Sequence, residues 1–120
     1  MKIALVWASN DKEKYGNKIL KDLIKKGHTV YPINTKEDYV ENIKAYKSLS
    51  EVNDDFEIVN FVVKPEITLQ ILQSNLQLIK QKTIWCQPGA SDYLVINFLK
   101  NNFKNYITDS CIMIQDIKKS

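Results

Sequence analysis

The polar loop from Ala8 to Tyr15 has residue types suited to holding a phosphate group. It lies between an apolar run and a helical pattern, and Ser9 and Asn10 add side-chain donors. The first turn of the following helix would turn its free N–H groups and positive dipole end toward an anion, and Gly16 would permit a close approach. The loop contains neither GxGxxG nor GxxxxGK[ST], so a plain strand-to-helix connection stays an equal alternative.

A second loop, from Pro32 to Asn34, follows the next apolar run. An NAD site usually has an acidic residue here for the ribose 2′-hydroxyl, whereas this chain has Asn34 with Lys36 close behind. This pattern favours a phosphorylated ribose, as found in coenzyme A or NADP. The alternative is a lysine in a solvated loop, which is the common situation of a surface lysine.

Two further loops follow the third and fourth apolar runs. Lys64 lies at a strand end beside a second predicted helix N-terminus, where an anion is stabilised. Two helix ends could therefore share one pyrophosphate. Gln87, Pro88, Gly89 and Ser91 form the fourth loop, which is also common turn chemistry.

The sequence offers little for catalysis. His28 is the only histidine, and it follows a helix-ending glycine, so we expect a structural role and no histidine-based metal site. There is no GxSxG elbow. Cys86 and Cys111 lack CxxC spacing, which favours buried reduced thiols. We therefore expect a binding protein and not a complete enzyme, with no catalytic residues and no metal.

Composition excludes several classes of partner. The 120 residues fit one domain, 1–120, and the 44% hydrophobic and 26% charged content is that of an ordinary globular protein. No apolar run approaches the ~18 residues of a membrane span, and the N-terminus is too short in apolar residues for a secretory signal. The net charge is +3, and every basic residue is a lysine. This charge is too weak to indicate nucleic-acid binding. We expect a cytoplasmic location.

Hydrophobic patterning predicts an α/β doubly wound, Rossmann-like fold, three layers deep, with a mainly parallel sheet of about five strands. Continuous apolar runs predict buried parallel strands. Apolar stripes at helical spacing between these runs predict three helices: the first ends at Gly27, the second begins at Pro65, and the third begins near Ser91 and Asp92. The predicted strands span 3–7, 29–33, 57–63 and 83–87, with final short strands at Tyr106 to Thr108 and Cys111 to Gln115. Weaker signals suggest an edge strand at Lys44 to Lys47 and one helical turn at Ser48 to Val52.

Several short motifs, taken in order, resemble one family. They are AS at 8–9, KYGNK at 14–18, GHTVYPIN at 27–34, AYKSLSEV at 45–52, FVVKPE at 61–66, WCQPGA at 85–90 and CIMIQ at 111–115. Over nearly the whole chain they look like the small stand-alone CoA-binding domains, relatives of the CoA-binding Rossmann domain of succinyl-CoA synthetase and of acyl-CoA synthetases that form nucleoside diphosphates. The resemblance implies coenzyme A as the cofactor.

The resemblance also implies a site. It would place the pyrophosphate against Ala8, Ser9 and the helix start at Lys14, Tyr15, Gly16 and Asn17, and the adenosine end near Pro32, Asn34 and Lys36. It would complete the cleft with Val63, Lys64, Pro65, Gln87, Pro88 and Gly89, and place Trp7 where the family usually has glycine.

The departures from the family pattern leave alternatives open. Trp7 could pack away from the ligand or fill its space, and Lys64 stands in place of a proline. We expect a CoA or acyl-CoA binding protein, with a homodimer or a partner enzyme left open. The alternatives are an NADP-binding redox component, or a degenerate Rossmann regulatory or protein-interaction module without a nucleotide ligand.

Overall fold

The computed structural model describes residues 1–115 as one α/β unit. In chain order its elements are β1 (Lys2–Val6), α1 (Tyr15–Lys25), β2 (Thr29–Ile33), β3 (Tyr39–Val40), β4 (Ile43–Lys44), β5 (Ile58–Phe61), α2 (Pro65–Ser74), α3 (Leu76–Ile79), β6 (Thr83–Cys86), α4 (Tyr93–Asn102) and β7 (Tyr106–Thr108). Short 3₁₀ turns occupy Leu49–Glu51 and Ile112–Ile114. No helix within residues 1–115 is both long enough and apolar enough to cross a bilayer.

The main sheet has five parallel strands in the order β2-β1-β5-β6-β7. The chain runs outward from β1 to β2, returns to the other side of β1 with β5, and continues to β7. The strand order therefore reverses between β1 and β5, which is where ligands bind in open α/β sheets. The predicted doubly wound, mainly parallel fold is confirmed.

Two apolar cores cover the two faces of this sheet. Alternate residues of β1 face opposite sides: Ile3 and Leu5 belong to the core under α1, whereas Ala4 and Val6 belong to the core under α2 and α4. All four are fully buried. Burial on both faces explains why the strands are continuous apolar runs in the sequence.

The predicted helix boundaries have clear local causes. Gly27 follows α1 with φ of +91°, a left-handed conformation that glycine adopts without steric cost. Pro65 is the first residue of α2, where its missing N–H removes no hydrogen bond. Asp92 precedes α4, and its side chain accepts a hydrogen bond from the Val95 N–H at 3.0 Å.

Three of the weaker predictions need correction. Cys111 to Gln115 is not a strand: the Trp85 indole donates to the Ser110 carbonyl at 2.8 Å and Gln87 accepts from the Ile112 N–H at 2.9 Å, so side chains hold this segment in place of a strand ladder. The edge strand predicted at Lys44 to Lys47 is reduced to Tyr46, which makes a parallel bridge to Ile33 of β2, while Ile43–Lys44 pairs with β3 in a hairpin. The helix predicted to begin at Pro65 is divided between α2 and α3, which meet at Asn75.

Candidate functional site

A cleft of about 530 Å³ opens where the strand order reverses, at the carboxyl ends of β1, β5 and β6. This volume lies within the range typical of small-molecule sites. The cleft brings together nine residues that the sequence predicted as ligand-binding: Trp7, Ser9, Lys14, Tyr15, Gly16, Val63, Lys64, Pro88 and Gly89. Their role in ligand binding stays a prediction.

The first loop brings the start of α1 directly against the end of β1. A Cβ atom built on Gly16 would lie well inside 3.0 Å of the Trp7 carbonyl oxygen and 3.4 Å from the Ala8 Cα atom. Real Cβ atoms essentially never come so close to backbone. Glycine at position 16 thus permits contact between helix and strand, and the ligand is not needed to explain it. The chain leaves β1 through a cis peptide bond between Val6 and Trp7.

The helix N-termini at the cleft lack side-chain caps. Lys14 precedes α1 and Lys64 precedes α2, and neither side chain accepts a hydrogen bond from the helix. Within residues 1–115, the N–H groups of Tyr15 and Gly16 have no backbone or side-chain acceptor. Helix α4, whose N-terminus lies outside the cleft lining, is capped by Asp92. The uncapped ends leave donors and positive dipole ends available to an anion.

The charges lining the cleft favour an anion as well. Lys14 and Lys64 are exposed, and neither makes an ion pair with a residue of the described chain. Glu13 is the acidic residue of the lining. Two lysines and two helix ends against one carboxylate give this cleft a net positive character.

Hydrogen bonds hold the first loop in shape. Asn17 is 1% exposed, and its amide donates to the Ser9 carbonyl at 2.8 Å and to the Glu41 carboxylate at 2.7 Å. Asn10 bonds both the Tyr39 carbonyl and the Glu41 N–H, at 2.9 and 2.8 Å. The hairpin of β3 and β4 therefore supports the loop from outside, with Glu41 and Asn42 at its turn in left-handed conformations.

The second loop serves the fold and does not line the cleft. Asn34 is 4% exposed; its amide donates to the Ala8 carbonyl at 2.8 Å, and its oxygen accepts from the Lys36 and Glu37 N–H groups. Pro32 is buried within β2, and the Lys36 side chain is exposed. The predicted adenosine contacts at these three residues remain predictions.

Two further predicted residues, Ala8 and Pro65, lie beside the cleft lining, and Trp7 lies within it. Ala8 is fully buried and holds Asn34 through its carbonyl. Pro65 is half-buried beside Lys64 at the start of α2. Trp7 is half-buried and forms part of the cleft wall. The cleft is therefore open with the tryptophan in place, and the indole is not fully packed away from it.

A second, narrower pocket of about 140 Å³ lies beside the cleft. Tyr15, Val62 and Pro88 line both spaces, whereas Gln87 and Cys111 line only the narrow pocket. Gln87 is 5% exposed and its amide donates to the Cys111 Sγ at 3.2 Å. Both cysteines are free thiols. Cys86 is buried, as predicted, and burial raises its pKa to about 12, but Cys111 is only half-buried.

Sequence reasoning missed several residues at this site. Glu13, Val62 and Ala90 line the cleft beside residues that were predicted. Glu41 supports the first loop from a hairpin whose position the pattern did not reveal. Within residues 1–115, no three histidine, cysteine or acidic side chains are grouped to hold a metal ion.

Comparison with known proteins identifies the family of this chain. The model of a family described as the CoA binding domain matches residues 1–116. The alpha subunit of an ADP-forming acetate–CoA ligase II from Pyrococcus furiosus is 38% identical over 71 residues, which are 58% of this chain and 16% of the subunit. This chain thus corresponds to a small part of that subunit.

Two relatives match along most of their length. The uncharacterised protein YneT of Bacillus subtilis is 25% identical over 94% of this chain and 83% of its own length. The structure of a conserved hypothetical protein from Pyrococcus furiosus superposes with a TM-score of 0.87, at 40% identity, over 94% of this chain and 97% of that one. The family model covers nearly the whole chain and shows that the chain belongs to the CoA-binding domain family.

Proposed function

We propose that this protein binds coenzyme A or an acyl-CoA in the cleft between β1 and β5, and that it lacks the complete machinery for chemistry on that ligand. The observation that carries the proposal is the pair of uncapped helix N-termini preceded by Lys14 and Lys64, both of which line the cleft. A pyrophosphate presents the charge that these groups would bind.

The phosphates would lie against α1. The free N–H groups of Tyr15 and Gly16 would donate to phosphate oxygens, and Ser9 would add its hydroxyl from the same loop. Lys14 and Lys64 would contribute charge from the two sides of the cleft. This is the arrangement by which a helix N-terminus stabilises a phosphate through both N–H groups and dipole.

Family membership supports coenzyme A over other nucleotides. The chain belongs to the CoA-binding domain family, and a ligase subunit whose name states a reaction with CoA is 38% identical over 58% of the chain. The second loop supports NADP less, because Asn34 uses its amide within the fold. A cleft open beside Trp7 argues against a site closed by that residue.

Isothermal titration with CoA, acetyl-CoA and NADP tests the proposal, under reducing conditions that keep Cys86 and Cys111 as thiols. Lys14→Ala and Lys64→Ala should each weaken CoA binding about fivefold, the equivalent of about 1 kcal/mol for an exposed charge contact. Lys100→Ala is the matched control, since Lys100 is exposed on α4 and outside the cleft lining.

Each alternative function predicts a different titration result. Tighter binding of NADP than of CoA would support a redox component. No heat with any of the three ligands at about a millimolar would support a protein-interaction module, and the CoA proposal would then be wrong.

A further inference from the structure

We propose that the narrow pocket beside the cleft receives the thiol end of the ligand, and that Gln87 and Cys111 in its wall restrict the site to the free thiol and short thioesters. This inference rests on the proposed binding of coenzyme A, and it adds a subsite and a selectivity that the family match does not specify.

The position of the pocket supports this assignment. Tyr15, Val62 and Pro88 line both the cleft and the pocket, so the two spaces adjoin. A ligand with its phosphates at the start of α1 would reach the pocket past Tyr15, the first residue of that helix. The remaining lining residues, Gln87 and Cys111, line the pocket and not the cleft.

The size and lining of the pocket match the slender end of such a ligand. Its volume of about 140 Å³ is roughly a quarter of the cleft's, and it is more enclosed. The exposed lining is mainly apolar, as suits an uncharged arm. A space of this volume is too small for a long acyl chain.

Hydrogen bonds hold the part of the pocket wall that Gln87 and Cys111 form. The Gln87 oxygen accepts hydrogen bonds from the Ile112 N–H and from the Asn60 amide, at 2.9 and 3.2 Å, while its amide contacts the Cys111 sulfur. The Trp85 indole donates a hydrogen bond to the carbonyl of Ser110, the residue before Cys111. Because Gln87 and Asn60 are buried, this wall cannot move outward without breaking several hydrogen bonds.

The first test compares ligands of different lengths. Free CoA and acetyl-CoA should bind within about threefold of one another, whereas palmitoyl-CoA below its micelle concentration should bind at least tenfold more weakly. Equal affinity for palmitoyl-CoA would overturn the selectivity while leaving the proposed function intact. Absence of any CoA binding would instead refute the proposed function.

The second test fills the pocket. Cys111 is half-buried, so Cys111→Tyr should fold and occupy the pocket with its ring. It should weaken CoA binding about tenfold and leave unchanged the binding of adenosine 3′,5′-bisphosphate, which has no pantetheine arm. Loss of binding of both CoA and adenosine 3′,5′-bisphosphate would indicate a damaged fold. In that case the affinities for acetyl-CoA and palmitoyl-CoA would be compared in Cys111→Ser, which keeps the size of the side chain and should keep the preference for the short ligand. Unchanged CoA affinity in a folded Cys111→Tyr variant would overturn the assignment.

A third test uses the cysteine as a reporter of ligand position. The probe is the mixed disulfide of CoA and methanethiol, whose sulfur carries only a methylthio group: the Cys111 thiolate attacks the CoA sulfur, the S–S bond of the probe breaks, a Cys111–CoA disulfide forms, and methanethiolate leaves and takes up a proton. Formation of the CoA adduct, followed by intact mass, should be at least tenfold faster than formation of the glutathione adduct from the mixed disulfide of glutathione and methanethiol, and absent in Cys111→Ser. Equal rates with the two disulfides would show that the bound ligand does not reach this sulfur.

Discussion

The contact between α1 and the end of β1 predicts a large effect of a single methyl group. In Gly16→Ala, the new Cβ would lie well inside 3.0 Å of the Trp7 carbonyl oxygen and 3.3 Å from its carbon. Alanine gains about 1 kcal/mol over glycine in helix propensity. Overpacking costs about 1–3 kcal/mol, and we take the upper value because the obstacle is backbone and not a flexible side chain.

The net loss is therefore about 2 kcal/mol. An unfolding entropy of about 2.1 cal/mol/K per residue gives roughly 0.25 kcal/mol/K for 120 residues. The expected decrease in Tm is then about 8 °C, measured by thermal unfolding followed by circular dichroism. CoA affinity should fall as well, at a temperature where the variant is folded, because the methyl group separates the first loop from the helix N-terminus.

Gly27→Ala is the matched control for this substitution. Gly27 lies just after the other end of α1. A Cβ at this position meets nothing within 4 Å, and only the φ of +91° opposes alanine. The control should lose about 1 kcal/mol through backbone strain alone and keep its CoA affinity. A Gly16→Ala protein as stable as wild type, with unchanged CoA binding, would refute the inferred close contact and its role in the site.

Three further predictions follow from buried and titrating groups. Asn17→Ala should lower the free energy of unfolding by about 1–3 kcal/mol in urea titrations, because the buried side chain bridges two segments; an unchanged midpoint would contradict that role. Because burial raises the pKa of Cys86 to about 12, iodoacetamide at pH 8 should modify Cys111 alone in the folded protein, and mass spectrometry showing equal modification of both would contradict the placement. Burial and a hydrogen bond to Asp54 raise the pKa of Tyr31 from 10.0 to about 12. The free energy of unfolding that this phenol contributes is therefore complete below pH 10 and is lost as the pH rises toward 12. Tyr31→Phe should reduce this alkaline loss of stability, and a pH–stability profile identical to that of wild type would argue against the shift.

The fold was largely predictable because strands that are buried on both faces of a sheet consist of continuous apolar residues. Thr29–Ile33 and Tyr106–Thr108 agree with the predicted strands, and Gly27 and Pro65 mark helix ends through backbone chemistry that is local to those residues. Local patterning was insufficient at Cys111 to Gln115, where Trp85 and Gln87 bind the segment across 25 residues of sequence. The apolar residues of that segment suggested a strand, but contacts distant in sequence determined its conformation.

The site was predictable to the extent that it depends on the ends of strands. Parallel strands bring their following loops to one edge, so Ser9, Lys64 and Gly89 were expected to meet. The internal use of Asn34 could not be anticipated, because its partners depend on how the first loop passes β2. Glu41 was equally hidden, since a two-residue strand on each side of it leaves almost no periodic signal.

Titration calorimetry of the wild-type protein with CoA is the decisive experiment for coenzyme A binding in the cleft between β1 and β5. We expect saturable 1:1 binding with a Kd in the micromolar range, about −8 kcal/mol, weakened about fivefold by Lys64→Ala and unaffected by Lys100→Ala. Absence of heat at about a millimolar CoA, or an equal change of CoA affinity in Lys64→Ala and Lys100→Ala, would contradict CoA binding in this cleft.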